Sequence, residues 1–171
     1  MEYTITYRSP LGEILLASDG EAVTGLWFEG QKHYAASLSP EREERETPVL
    51  ARARRWLDAY FRGEDPGDPP PLSPRGTAFQ KAVWDILLTI PRGEVRTYAA
   101  VARDLAARRG LPSLSAQAVG SAVGRNPISL LIPCHRVVGS DGSLTGYAGG
   151  LDKKLRLLAL EGADTKKLHF P

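Results

Sequence analysis

Hydrophobic and polar positions divide the chain into two differently patterned halves. Tyr3-Thr4-Ile5-Thr6-Tyr7 alternates with a period of two, as a half-buried strand does, and Ser9-Pro10-Leu11-Gly12 forms a turn signal. Glu13 to Ala17 reads as a second strand. Ser18-Asp19-Gly20 turns the chain into a third, Val23 to Phe28. Val49, Ala53, Trp56, Leu57 and Tyr60 then recur at helical spacing and predict a helix to about Arg62. Residues 63–76 hold five prolines and three glycines, the composition of a semi-rigid linker. The expected organisation is a sheet-plus-helix domain over 1–62, this linker, and a second domain over 77–171.

The second half is patterned for helices. Thr77 and Gln80 have capping-box spacing ahead of an apolar face made by Phe79, Val83, Ile86, Leu87 and Ile90. Pro91-Arg92-Gly93 stops that helix. Thr97 caps the next, with Tyr98, Val101, Ala102 and Leu105 on one face, and residues 108–112 break it. Ser115 opens a third that runs through Val123 to Gly124. Helix, glycine-containing break, helix is the outline of a helix-turn-helix. Its second helix presents Ala116, Ala118, Gly120, Ser121 and Ala122, small enough either to pack against a neighbouring helix or to bring backbone close to a partner. The glycine-rich run Gly146-Tyr147-Ala148-Gly149-Gly150 precedes a last helix, from Leu151 to about Glu161, with Leu155, Leu158 and Ala159 inside and Gly162 as its stop. The fold class expected is α+β, the second domain mostly helical with a winged-helix-like helix-turn-helix.

Charge sharpens this division. The net charge of +2 conceals a first half, residues 1–75, with 9 basic and 13 acidic residues, and a second half, 76–171, with 13 and 7. A basic helical half suggests a polyanionic partner, although ordinary surface charge gives the same excess. Arg exceeds Lys by 16 to 6, compatible with a thermophile or equally with a GC-rich genome. No apolar stretch approaches the roughly 20 residues of a membrane span. Met1-Glu2-Tyr3-Thr4 does not begin a signal peptide. With a single free thiol, the expected setting is reducing and cytoplasmic.

That thiol is the strongest chemical signal. Cys134 is the only cysteine, so neither an internal disulfide nor a cysteine-rich zinc site is available, and an inert buried thiol or a nucleophile remains. The apolar run Ile128 to Ile132, then Pro133, then His135 directly after the cysteine favour the nucleophile.

Pro133-Cys134-His135-Arg136-Val137 resembles the active-site motif of the O6-alkylguanine-DNA alkyltransferases. The resemblance extends through Gly76-Thr77-Ala78-Phe79-Gln80, Val83-Trp84, Ile90-Pro91-Arg92-Gly93, Thr97-Tyr98, Gly124-Arg125-Asn126-Pro127 and Gly146-Tyr147 with Gly149-Gly150-Leu151. It covers residues 76–162 almost continuously. The first half looks like the variable N-terminal domain of that family. The implied activity is direct repair of duplex DNA. A damaged guanine is rotated out of the stack and its O6-alkyl group passes to Cys134, once and without a cofactor. By the same resemblance His135 is the base and Glu161 orients it, Tyr98 and Lys154 assist the leaving guanine, and Asn126 braces the loop. Val137, Tyr147, Ala148 and Gly149 would line the base pocket. The helix-turn-helix would enter the minor groove, with Arg96, Thr97, Gln117, Ala118, Ser121 and Arg125 on the DNA. A monomer is expected.

Three departures from the family pattern stand out. Gln117 occupies the place where an arginine usually fills the space left by the flipped base. The break from Arg108 to Leu114 is longer than expected. Ala148 replaces a common serine, leaving only backbone N–H to serve the guanine oxygen. The metal site of some members lacks its cysteines here. Three rival readings are an alkyltransferase-like binding protein, which usually has tryptophan in place of Cys134, a helix-turn-helix regulator, and a thiol redox sensor.

Overall fold

The structure, a computed structural model, describes all 171 residues, and these fall into two compact units. The first comprises residues 1–75 together with 127–131, and the second residues 76–126 together with 132–171.

In the first unit, β1 (Glu2–Ser9), β2 (Gly12–Ser18) and β3 (Val23–Phe28) form an antiparallel meander. A fourth strand, β4 (Arg42–Glu44), joins β1 in parallel, giving the order β3-β2-β1-β4. β4 was not anticipated, since its sequence Arg-Glu-Glu is charged, exposed and without alternation. Short charged edge strands of this kind resist pairing with other chains. Helix α1 (Pro48–Phe61) is capped by Thr47 Oγ1, which accepts from the Leu50 N–H. It buries Val49, Leu50, Ala53, Leu57 and Tyr60. It ends at Gly63, whose φ of +80° is left-handed; Gly63 N–H reaches Tyr60 O and Glu64 N–H reaches Ala59 O.

The proline-rich stretch is not a free spacer. Val23 N–H donates to Pro71 O, Ser73 N–H donates to Val23 O, and Trp56 Nε1 donates to Gly67 O. Its prolines withhold N–H groups, but these carbonyls and the Ser73 amide are enough to lay it along β3 and α1. Pro127 and Ser129 likewise pair with Leu26 on β3.

In the second unit, α2 (Ala78–Leu87) opens with both bonds of the capping box, Gln80 N–H to Thr77 Oγ1 and Thr77 N–H to Gln80 Oε1. Gly76 is there for space: a Cβ on it would lie 2.4 Å from the Trp84 ring. Trp84, fully buried, donates from Nε1 to Ala122 O of α4. Helices α3 (Tyr98–Arg108) and α4 (Ala116–Gly124) pack on each other and on α2. Val101, Ala102 and Leu105 of α3 and Val119, Ala122 and Val123 of α4 are buried. The break between them starts with an ordered helix stop: Gly110 at φ +65° lets its N–H reach Ala107 O and the Leu111 N–H reach Ala106 O. Two-residue strands β5 (Arg96–Thr97) and β6 (Val137–Val138) pair in parallel. Helix α5 (Leu151–Leu160) buries Lys154, Leu157 and Leu158, whereas Ala159, expected inside, is exposed. The lysine takes an inward position because its ammonium finds a partner there.

Candidate active site around Cys134

Cys134 lies in a single 3-10 turn, Cys134–Arg136. Pro133 has no N–H to extend a ladder, and the chain closes on itself with Cys134 N–H donating to Ile132 O at 2.7 Å. Asn126, buried just after α4, donates from Nδ2 to the same Ile132 carbonyl at 2.9 Å. The thiol residue is 4% exposed. The Cys134 carbonyl accepts the N–H of Val137.

His135 is fully buried. Its Nε2 lies 2.7 Å from Glu161 Oε2. Glu161 also accepts from Arg136, Nε to Oε1 at 2.8 Å and Nη2 to Oε2 at 3.0 Å, while Arg136 Nη1 donates to Ile90 O at 2.6 Å. The backbone explains why Glu161 points inward: it is the last residue before Gly162, whose φ of +80° ends α5 with Ala163 N–H on Leu158 O.

Burial and neighbouring charges bias the protonation states. Burial pushes the Glu161 carboxyl up, but His135 and the Arg136 guanidinium together outweigh it and hold the group well below the usual carboxylate range. Burial is also the largest influence on His135 and drives its pKa down against the opposing pull of Glu161. A neutral imidazole facing a carboxylate must carry its proton on Nε2. That leaves Nδ1 with its lone pair, buried and without a partner.

A second cluster faces the same turn. Tyr98, at the start of α3, donates from its hydroxyl to Thr145 O at 2.7 Å. Lys154 donates from Nζ to that same carbonyl at 2.8 Å and lies 5.8 Å from the Tyr98 ring centroid. Burial, with the Cys134 sulfur adding to it, raises the Tyr98 pKa to about 12, so the phenol keeps its proton. Burial lowers Lys154 to about 8, partly opposed by the Cys134 sulfur. Tyr147 is buried with an unpartnered hydroxyl, its ring 6.4 Å from that of His135.

Lys154 gives a stability signature. Between pH 8 and its ordinary value of 10.5 the folded chain holds fewer protons at this site than the unfolded chain, so stability rises with pH across that window. The expected gain is about 3 kcal/mol, absent in Lys154→Met. Urea unfolding at pH 7.5 and 10 measures it.

An open cleft of about 390 Å³ adjoins this cluster, lined by Tyr98, Ala116, Gln117, Gly120, Thr145 and Gly146. Gln117 is exposed, and its N–H caps onto Ser115 Oγ. Ala118, Ser121 and Arg125 are exposed along α4 and at its end. Arg96 is exposed and bonded to Glu94, while Thr97 Oγ1 caps α3. Ala148 and Gly149 are half-buried next to Tyr147. Two participants escaped the sequence reading. Arg136 stood in the motif with no role assigned, and the Thr145 carbonyl had no sequence signal at all.

A helix-turn-helix sharing one compact unit with a buried Cys-His turn and its carboxylate defines a class, DNA-binding proteins built around a thiol. Residues 78–163 match the 6-O-methylguanine DNA methyltransferase DNA binding domain, and residues 2–66 match the ribonuclease-like domain of the same enzyme. The chain belongs to the 6-O-methylguanine DNA methyltransferase family. The methylated-DNA–protein-cysteine methyltransferase of Methanosarcina acetivorans is 46% identical over 163 residues, covering 94% of this chain and 99% of its own length. That of Haemophilus influenzae is 44% identical over 160 residues, 93% of this chain and 86% of its own. Mycobacterium tuberculosis OGT, solved in complex with DNA, superposes with a TM-score of 0.77 at 41% identity, covering 94% of this chain and 92% of that one.

Proposed function

We propose that this chain repairs O6-alkylguanine in duplex DNA by moving the alkyl group, once and irreversibly, onto Cys134. The observation that carries this reading is the buried His135–Glu161 pair directly after the buried Cys134, within one unit with the helix-turn-helix. The Cys134 proton passes to His135 Nδ1, directly or through one water. The sulfur attacks the alkyl carbon, the S–C bond forms as the C–O6 bond breaks, and the electron pair stays on the guanine. The base takes up one proton, with Tyr98 as hydrogen-bond or proton donor and Lys154 as a nearby positive charge. An ordinary thiol, with a pKa of about 8.5, is mostly protonated at neutral pH, which is why a buried base is needed. The thioether cannot be reversed by any group in the site, so each molecule acts once.

The DNA side of the reading rests on α4. Its small residues let backbone approach the minor groove, whose weak sequence code suits a protein that scans all sequences. Arg96, Thr97, Ala118, Ser121 and Arg125 are assigned to DNA contact. The flipped guanine is assigned to a pocket walled by Tyr147, Ala148, Gly149 and the backbone at Val137. Gln117 fills the vacated stack without a charge. Gln117→Arg is therefore expected to tighten binding to undamaged duplex about tenfold at low salt, and to steepen the salt dependence by about one phosphate contact. Fluorescence anisotropy at several salt concentrations checks it. The cytoplasm, with its reduced thiols, is the assigned compartment; no helix is long and apolar enough to cross a membrane.

The rate should follow pH as a bell. It falls as His135 takes a proton, below its lowered pKa and so below about pH 6.5, and falls again as Lys154 loses its charge near pH 8. Single-turnover rates from pH 5 to 9.5 test this, with Lys154→Met expected to flatten the alkaline limb. The reaction itself is tested by a restriction site blocked by one O6-methylguanine. Cleavage should return in proportion to protein added, one site per molecule. Catalytic excess or no return would count against it.

A further inference from the structure

The carbonyl that holds both Tyr98 and Lys154 belongs to a loop, residues 139–150, that closes on itself through Gly139 N–H to Ser143 O, Gly142 N–H to Gly139 O and Thr145 N–H to Ser143 O. The segment following α5 ties this loop down from outside. Leu144 N–H donates to His169 O at 2.8 Å, and His169 N–H donates to Gly142 O at 3.1 Å, so that Ser143 and His169 form a parallel bridge. His169 Nε2 lies 3.2 Å from Asp141 O. The backbones run so close that a Cβ on Gly142, itself at φ +86°, would sit 2.1 Å from Lys167 O. Leu168 packs on the small cluster of Val138, Leu144 and Leu158. Val138 is in β6, directly after the Cys134 turn, and Leu158 is on α5, one turn past Lys154. The next residue along the loop after Leu144 is Thr145, whose carbonyl accepts both protic groups.

From this arrangement we propose that residues 167–169 are positioning residues for alkyl transfer. They act as a backbone strap that fixes Leu144, sets the Thr145 carbonyl, and so aims the Tyr98 hydroxyl and the Lys154 ammonium at the leaving guanine. None of the three touches the reacting atoms. The strap works chiefly through main-chain bonds, the exposed His169 Nε2 contact to Asp141 O being a minor addition, so side-chain identity at 169 matters little while its N–H and carbonyl geometry matter a great deal. An offset of about 1 Å in such donors is enough to slow chemistry by about two orders of magnitude without weakening substrate binding. The inference rests on the alkyl-transfer reading.

The test compares His169→Ala with His169→Pro in the full chain. Proline removes the N–H that Gly142 O accepts, while alanine keeps it. Single-turnover transfer from an O6-methylguanine duplex is followed as a function of duplex concentration, separating the maximal rate from the half-saturating concentration. Leu168→Ala serves as a milder second variant. His169→Pro should lower the maximal rate at least tenfold and leave the half-saturating concentration within about threefold. Leu168→Ala should fall between, and His169→Ala should match the parent. A His169→Pro protein that transfers at the parental rate overturns the strap, as does one in which alanine and proline are equally slow. If the parent chain transfers nothing to Cys134, the alkyl-transfer reading itself fails, an outcome distinguishable from failure of the strap alone.

Discussion

Cys134→Ser is expected to lower alkyl transfer at least ten-thousandfold while leaving duplex affinity within about twofold. Serine keeps the shape of the turn, and the bonds from Cys134 N–H to Ile132 O and from Asn126 Nδ2 to the same carbonyl are untouched. The nucleophile is what changes. A buried imidazole of lowered pKa can take a proton from a thiol within a few kcal/mol, whereas a hydroxyl is far weaker as an acid and a nucleophile. Single-turnover rates and anisotropy on the same duplex measure the two quantities. Because binding is retained, the variant should also protect lesion-containing DNA from a competing repair activity.

Glu161→Gln is expected to have the second-largest effect, on two observables at once. The carboxylate holds His135 in the tautomer with its proton on Nε2 and neutralises Arg136, both in surroundings nearly closed to water. An amide can turn its NH2 toward Nε2. The imidazole proton then moves to Nδ1, the atom needed as acceptor, and transfer should slow by about a hundred- to a thousandfold. Arg136 is left with a buried charge and no counter-ion, which costs about 3 kcal/mol of stability at pH 7. The acid limb follows the same logic. Because Glu161 is held well below the ordinary carboxylate range, its stabilisation is complete above about pH 4.5 and is lost as the pH falls through that depressed value. Arg136→Met separates the two effects: it destabilises the fold but keeps the carboxylate on His135, so the rate should change less than tenfold.

Much of this site was legible in the chain because it is held by local rules. The capping box at Thr77 and Gln80, the Thr97 and Ser115 caps, and the glycine stop after α5 are each written in a few adjacent residues, and each forms as spaced. The three strands of the meander follow from alternation and turn residues. What could not be read rests on long-range pairing. β4 has no strand pattern and exists because β1 offers it an open edge. The chain over 127–131 joins the first unit through main-chain bonds to Leu26, to which side-chain patterning is blind. Lys154 reads as a surface residue until the Thr145 carbonyl, nine positions away, gives its ammonium a partner. Arg136 likewise acquires its role from Glu161, which reaches the turn only once α5 has folded back. In each case a backbone carbonyl or a distant carboxylate, not a local motif, decides where the side chain goes.

The most direct test of alkyl transfer to Cys134 is intact mass after incubation with a duplex carrying one O6-methylguanine. A gain of one methylene, about 14 Da by simple composition, is expected on every molecule that reacts. Fragmentation should map it to the peptide holding Cys134, and Cys134→Ser should show no gain. Tight binding to the lesion with unchanged mass, or a methyl group found on any other residue, would contradict it.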